Sequence, residues 1–466
     1  MVDGSRASAT RFANRWLGVR LSVKSATRSD KPPRLIFGGN YQQSLGSVAW
    51  PQTPAPGVSA TGPLTDLMSH AASLTDRKPE KAHFLRLDTL RGVAILMVFL
   101  FHFWLAVDQR DVTLAAEARL SPAWSPLLTL HHVGFLGVQL FFVISGFCIH
   151  YSYLSWKRRS PDSADRQFFP QFYSRRFWRI VPPYLLALLC FYFIKTAQPL
   201  STFHLKHLLP HLVLANTLLP SETFTVNPSF WSVAVEWQLY LVYPLALFLF
   251  ARLGTARAFL ATAAIGLLFR FTLQTWGVPY WFSHLPFRWW YEWTLGVMIA
   301  ASWSEQRRLF FSSVTLGLAL AALTLFAVLE SHDRVFQWLM PPLFFAYLVE
   351  TCVWSTRPVG ALSRGFGLVG VCSYSFYLWH QPVVNGVVSF VAHHAEPLNA
   401  LEIWVGLCVA LLAILMVLAA ACYQLTEKPS VAVGQWLARR KSRATIISGF
   451  PQPAAADLLS SIAKSD

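Results

Sequence analysis

The chain has 466 residues, 54% of them hydrophobic and only 13% charged, which excludes an ordinary soluble domain, where about a quarter of residues are charged. Its net charge of +16 brings nucleic acid to mind, but the basic residues sit in short loops and termini between apolar runs, and no nucleic-acid-binding module is visible. The fold class is therefore all-α: a polytopic membrane helical bundle in contact with membrane lipids, with no nucleic-acid partner.

Residues 1–80 are rich in Ser, Ala, Pro, Gly and Arg, lack an apolar run long enough for a secretory leader, and are expected to be disordered. A translation start at Met68 is the competing reading, since it opens a short polar leader into the first span. Residues 81–430 read as the integral membrane domain and 431–466 as a cytoplasmic tail. Within the domain, apolar runs predict ten spans near 90–107, 133–154, 178–196, 228–250, 257–276, 285–303, 310–330, 335–354, 366–391 and 400–425.

One further segment, 205–219, is short, carries Lys206, His207, Pro210 and His211, and is read as interfacial or re-entrant. With that segment on the outer surface, the loop bearing Lys157, Arg158, Arg159, Arg166, Arg175, Arg176 and Arg179 faces the cytoplasm, as does every later alternate basic loop. Both termini then lie inside the cell.

In the first span Arg91 and His102 are eleven positions apart, which puts them within about 20° of one helix face and ~16 Å apart along the axis. A histidine at that depth is either satisfied by a neighbouring helix or used chemically. An inner polar zone joins Asp88 and Arg91 to Arg175, Arg176 and Arg179 at the mouth of the third span, where Pro182 and Pro183 shape the entry into the membrane. Guanidinium groups there suit phosphate, although positive-inside anchoring produces the same cluster.

The outer zone holds Glu236, Arg270, Arg288, Glu292 and His380 within apolar runs. Ionisable groups at such depth face a bundle interior or a wet cavity, and Arg288 with Glu292, a turn apart, is the expected structural pair. The six cysteines all fall in apolar runs without CxxC or Cys/His spacing, so no metal site is expected. Gly137 and Gly146 are expected to permit close helix approach, and Ser145 beside them reads as an interface residue rather than a nucleophile.

Six segments running in order through residues 86–429 resemble the acyltransferase 3 family of membrane acyltransferases, which includes bacterial sugar O-acetyltransferases: RLDTLRGVAILMVFLFH, GFLGVQLFFVISGF, YSRRFWRIVPPY, FWSVAVEWQLYLVYP, SYSFYLWHQPV and LTEKP. The resemblance implies transfer of an acyl group, usually acetyl from cytoplasmic acetyl-CoA, to a hydroxyl of a glycan, glycolipid or similar acceptor, with a bacterial inner membrane as the default location. It implies that Arg91 and His102 are the essential pair, with His102 acting either as a base or as a transient acyl carrier. Asp88 either orients Arg91 or caps the helix. Arg175, Arg176 and Arg179 are expected to bind acyl-CoA, and Trp231, Glu236, Tyr240 and His380 the acceptor.

Some relatives carry a fused extracytoplasmic hydrolase-like domain; only residues 426–466 follow the last span here, so none is expected. The acceptor is then a lipid-linked or small molecule, or a polymer served by a separate extracytoplasmic transferase. Two competing readings are a transporter or flippase of lipid-linked sugar and an inactive relative acting as a scaffold. The absence of an internal repeat weighs against the first, and the retained register of Arg91 and His102 against the second.

Overall fold

The computed structural model describes residues 79–109, 133–197, 204–275, 282, 284–329, 331, 334–394 and 401–448. The leader, Met68 included, lies outside them. Every regular element among the described residues is helical, as the composition predicts. The chain runs through α1 (Pro79–Asp108), α2 (Leu136–Arg159), α3 (Phe168–Thr196), the short α4 (Leu205–Leu212), α5 (Phe230–Leu253) and α6 (Thr255–Thr275). It continues through α7 (Trp290–Ser304), α8 (Val314–Leu329), α9 (Arg334–Trp354), α10 (Ala361–Val371), α11 (Ser373–His394), α12 (Leu401–Cys422) and α13 (Lys428–Ser448).

Six described stretches are long and apolar enough to cross a membrane: Phe84–Asp108, Leu136–Arg159, Asp165–Thr196, Phe230–Leu253, Thr255–Leu273 and Ile403–Arg440. The other four expected spans depart from that standard for different reasons. Helices α7 and α8 have only 15 and 16 residues. Helix α9 carries Arg334, Glu350 and the pair Pro341 and Pro342. The expected span 366–391 is two helices, α10 and α11, divided at Cys372. Segment 205–219 forms the eight-residue α4 and a single 3₁₀ turn, Asn216–Leu218. The expected tail from 431 begins inside α13, which a π-helical turn, Tyr423–Glu427, joins to α12.

Small residues set the helix spacing. Apolar faces gain little by leaving lipid for protein, so close backbone approach and van der Waals contact hold such bundles together. Helices α2 and α7 meet at Gly146 and Gly296, where an added Cβ would overlap the carbonyl oxygens of Trp293 and Val143 respectively. Helices α1 and α10 meet in the same way at Gly92 and Gly370, against the carbonyls of Phe366 and Asp88. The short α10 thus lies backbone to backbone on α1, and its break at Cys372 lets α11 pack against α1 along a second line.

Prolines inside these helices leave carbonyls unpaired four residues upstream, a cost that must be met internally in an apolar surrounding. Side chains from other elements meet it. The Trp178 carbonyl, freed by Pro182, accepts from Ser430 Oγ at 2.7 Å. The Tyr240 carbonyl, freed by Pro244, accepts from Tyr173 Oη at 3.3 Å. The Leu378 carbonyl, freed by Pro382, accepts from Asn227 Nδ2 at 2.9 Å, and the Trp338 carbonyl, freed by Pro342, from Arg270 Nη1 at 3.5 Å. Pro182 and Pro183 lie in the interior of α3, which begins at Phe168.

The expected Arg288–Glu292 pair gives way to a pair between helices. Arg270 of α6 donates from Nη2 to Glu292 Oε1 of α7 and from Nε to the Arg288 carbonyl at 3.1 Å. The Arg288 guanidinium lies 4.8 Å from the Trp289 ring. Residue 288 sits in the 3₁₀ turn Pro286–Trp289 that precedes α7, so the α-helical spacing of i and i+4 does not hold there.

Candidate active site

Five helices enclose a cavity of about 100 Å³ that gathers residues from both expected polar zones. Helix α1 supplies Arg91, α2 supplies Ser145 and Cys148, and α3 supplies Arg176 and Arg179. Helix α5 supplies Ser232, Glu236 and Tyr240, spaced by four so that they form one stripe, and α11 supplies Ser373, Tyr374 and Tyr377. Three guanidinium groups face one carboxylate across this lining.

Its polar groups are interlinked. Arg91 donates from Nη1 to Asp88 Oδ1 at 2.6 Å and from Nη2 to Cys148 Sγ at 3.3 Å. Asp88 lies within α1, so it does not cap the helix; it holds the arginine. Tyr240 donates its hydroxyl to Glu236 Oε1 and lies 3.3 Å from Ser145 Oγ. The Arg176 guanidinium stands over the Tyr240 ring at 5.5 Å and the Phe172 ring at 5.8 Å. No carboxylate pairs with Arg176 or Arg179 among the described residues. Ser232 Oγ donates to Tyr377 Oη at 2.7 Å.

His102 and His380 come together beside this cavity rather than in its lining. His380 Nε2 is 3.1 Å from His102 Nδ1, which is also 2.9 Å from the Val98 carbonyl one turn back. His380 Nδ1 is 2.7 Å from the Tyr377 carbonyl. Phe99 and Phe376, both fully buried, meet edge to face at 5.9 Å and fix α11 against α1 at this level. Tyr377 connects the two regions: it lines the cavity, and its ring centroid is 5.2 Å from that of His380. His380 is completely enclosed, whereas His102 is partly exposed.

The structure thus brings Asp88, Arg91, Arg176, Arg179, Glu236 and Tyr240 into one neighbourhood and places the two histidines next to it. Arg175 and Trp231 stand apart. Arg175, one turn before Arg179 on α3, is exposed and does not line the cavity, and the Trp231 ring lies 5.3 Å from that of Trp289 and meets His284 edge to face at 4.7 Å. Sequence reasoning passed over Cys148, Ser232, Tyr374 and Tyr377. The last two lie inside SYSFYLWHQPV, and Ser232 is one helical turn before Glu236, so helical spacing marks all three. Nothing in the sequence singles out Cys148.

A separate polar cluster joins α4 to the segment that follows it, outside the candidate spans. His207 Nδ1 is 3.0 Å from Glu222 Oε2, Ser221 Oγ donates to Glu222 Oε1 at 3.0 Å, and His211 Nε2 is 3.0 Å from Thr225 Oγ1. Burial works to raise the Glu222 carboxyl, but hydrogen bonds from His207, Ser221 and Thr225 outweigh it and hold the group below the usual carboxylate range. Burial pushes His211 down to about 4, against the attraction of Glu222 and with the repulsion of Lys195 and His207.

Comparison with known proteins gives this arrangement a context. The chain is 29% identical over 186 residues to acyltransferase MdmB of Streptomyces mycarofaciens, covering 38% of this chain and 43% of that one. It is 24% identical over 335 residues to peptidoglycan O-acetyltransferase OatA of Listeria monocytogenes, covering 64% of this chain and 49% of that one. The chain therefore spans less than half the length of these curated relatives. No solved structure matches it. A family model described as an acyltransferase domain matches residues 84–422, which run from within α1 to the end of α12 and include every residue lining the cavity. The chain belongs to the acyltransferase 3 family.

Proposed function

We propose that the chain is a membrane-embedded O-acyltransferase that moves an acyl group, acetyl in the first instance, from cytoplasmic acyl-CoA to a hydroxyl of a glycan, glycolipid or lipid-linked acceptor. The observation that carries this reading is the cavity in which Arg91, Arg176 and Arg179 face the single carboxylate of Glu236. Guanidinium groups with unspent donors suit the phosphates of CoA, which they can bind in a two-pronged geometry. Arg91, held by Asp88, lines the same cavity as the α3 arginines.

The chemistry follows from the neighbouring groups. His102 takes the proton of the acceptor hydroxyl as its oxygen bonds to the thioester carbonyl carbon. The carbon–sulfur bond then breaks, the ester is released, and the CoA thiolate recovers the proton from His102. Glu236, which takes the Tyr240 hydrogen on one oxygen, keeps carboxylate lone pairs to accept from sugar hydroxyls on the cavity side, and the Tyr240 oxygen, its hydrogen already given, likewise accepts. A glycan acceptor is supported by a relative named for peptidoglycan O-acetylation. In this reading the bundle crosses a bacterial inner membrane ten times with both termini in the cytoplasm, and a polymeric acceptor is reached through a separate extracytoplasmic transferase.

The test is incubation of the purified full chain, and of His102→Ala, with radiolabelled acetyl-CoA, following free CoA and label on protein or added glycan. CoA release or labelling by the wild type that disappears in the variant supports the reading. Equal behaviour of the two proteins with acetyl-CoA and longer acyl-CoAs, in the presence of glycan acceptor, refutes it.

A further inference from the structure

We propose that His380 is a positioning residue that sets the protonation pattern of His102, leaving His102 Nε2 as the free base. The argument begins with what a carbonyl oxygen can do. It only accepts, so the 2.9 Å contact of His102 Nδ1 with the Val98 carbonyl requires a hydrogen on that nitrogen. The 2.7 Å contact of His380 Nδ1 with the Tyr377 carbonyl requires the same of His380. A neutral His380 then has a bare Nε2, and this atom lies 3.1 Å from the Nδ1–H of His102.

The His102 proton is shared between two acceptors, and both lock one tautomer. Val98 is poorly placed to do this alone, because a helical carbonyl at that position already serves the backbone N–H of residue 102. His380 supplies an acceptor, Nε2, that takes no other hydrogen bond among the described residues. The two rings also differ in access: His380 is 0% exposed, and both of its nitrogens are engaged by protein, while His102 is partly open. The enclosed ring is thereby fitted to support, and the open one to react.

The arrangement acts again during transfer, and here it rests on the acyltransferase reading above. When His102 Nε2 takes the acceptor proton, the ring becomes an imidazolium whose Nδ1–H is a stronger donor, and His380 Nε2 accepts that charge-assisted bond. No proton passes to His380. When CoA leaves, the Nε2 proton goes to its sulfur and the pair returns to its starting form. This role differs from direct contact with the acceptor, which the enclosure of His380 prevents.

Two readouts test the assignment on the full chain in lipid nanodiscs. The first is the ¹⁵N spectrum of histidine-labelled protein, with the His102 signals identified by their loss in His102→Ala. The expected wild-type form carries hydrogen on Nδ1, and His380→Leu shifts population to the Nε2–H form. The second is kinetic. His380→Leu is expected to lower kcat about 10- to 100-fold, the loss of one hydrogen bond to a charged group, while KM for acetyl-CoA stays within about twofold. His380→Gln, whose amide oxygen can occupy the place of Nε2, is expected to recover most of that loss.

An Nε2–H form of His102 in the wild type overturns the proposal, as does unchanged kcat in His380→Leu or equal loss in the Gln and Leu variants with native thermal stability. If the wild type transfers no acyl group, the functional reading fails on its own. The nitrogen spectrum then decides the tautomer alone: Nδ1–H upholds it and Nε2–H refutes it.

Discussion

Two arginine sites lie within the helical bundle, and they differ in what they leave unspent. At the α6–α7 contact, Arg270 and Glu292 are 2% and 0% exposed, and Arg270 gives Nε to the Arg288 carbonyl, Nη1 to the Trp338 carbonyl and Nη2 to the carboxylate. Every nitrogen of that guanidinium is used by the protein itself. In the cavity, Arg91 is tied to Asp88 yet remains 20% exposed, and neither Arg176 nor Arg179 makes a hydrogen-bonded ion pair with a carboxylate among the described residues, although the buried Glu427 attracts Arg179. A closed pair holds helices together, while an open group of like charges is tolerable only where water or an anion completes it. Buried charge by itself therefore does not mark a functional site; charge with donors left over does.

The contrast can be broken most strongly at the closed pair. Glu292→Gln and Arg270→Met should each cost about 3–5 kcal/mol by leaving the other charge uncompensated, with a large drop in thermal midpoint. The double replacement should recover much of that loss. If the single variants unfold at the wild-type temperature, the pair is not the structural member of the comparison.

At the open site the expected effect is on binding rather than folding. Arg176→Ala and Arg179→Ala should each weaken acyl-CoA use by about 1.5–3 kcal/mol, seen as a raised KM at unchanged melting temperature. Arg175→Ala, outside the cavity, should leave KM near the wild-type value. Equal effects at all three positions would return the cluster to general membrane anchoring.

The loop cluster supplies a smaller effect that depends on pH. Both His211 and Glu222 have folded pKa values depressed below their unfolded ones, so the unfolded chain binds more protons and stability falls as pH falls. For His211 the loss sets in below the ordinary histidine value of about 6.5 and proceeds down to about 4. Glu222 contributes at lower pH, once the medium is acidic enough to protonate carboxylates. His211→Gln should remove on the order of 1–2 kcal/mol of the acid destabilisation, read as a flatter dependence of thermal midpoint on pH. The smallest effect is expected at Ser430→Ala, about 1 kcal/mol, from the unpaired Trp178 carbonyl beside Pro182. A stability change within error there would mean that water reaches this carbonyl.

Much of this comparison is legible in the sequence, and the parts that are not have physical causes. The helical class follows from composition, and the proximity of Asp88 to Arg91 from a three-residue step on one helix. Arg176 and Arg179 also stand three apart on one face, but choosing them over Arg175 needs the rotation of α3, which packing sets. Pairing Glu292 with Arg288 by spacing overlooks the 3₁₀ turn that precedes α7. The break at Cys372 carries no proline or charge; it arises because Gly92 and Gly370 draw α10 onto α1. The meeting of His102 with His380, 278 positions apart, is a tertiary contact that no local pattern encodes.

The central claim is that the open arginines serve an anionic ligand and the closed pair does not. Isothermal titration of CoA into the full chain in nanodiscs tests it most directly, with wild type, Arg176→Ala/Arg179→Ala and Arg270→Met/Glu292→Gln compared. The expected result is saturable binding to the wild type, loss of binding in the cavity variant at unchanged melting temperature, and retained binding in the closed-pair variant. Binding of equal strength to the wild type and the cavity variant would contradict the account.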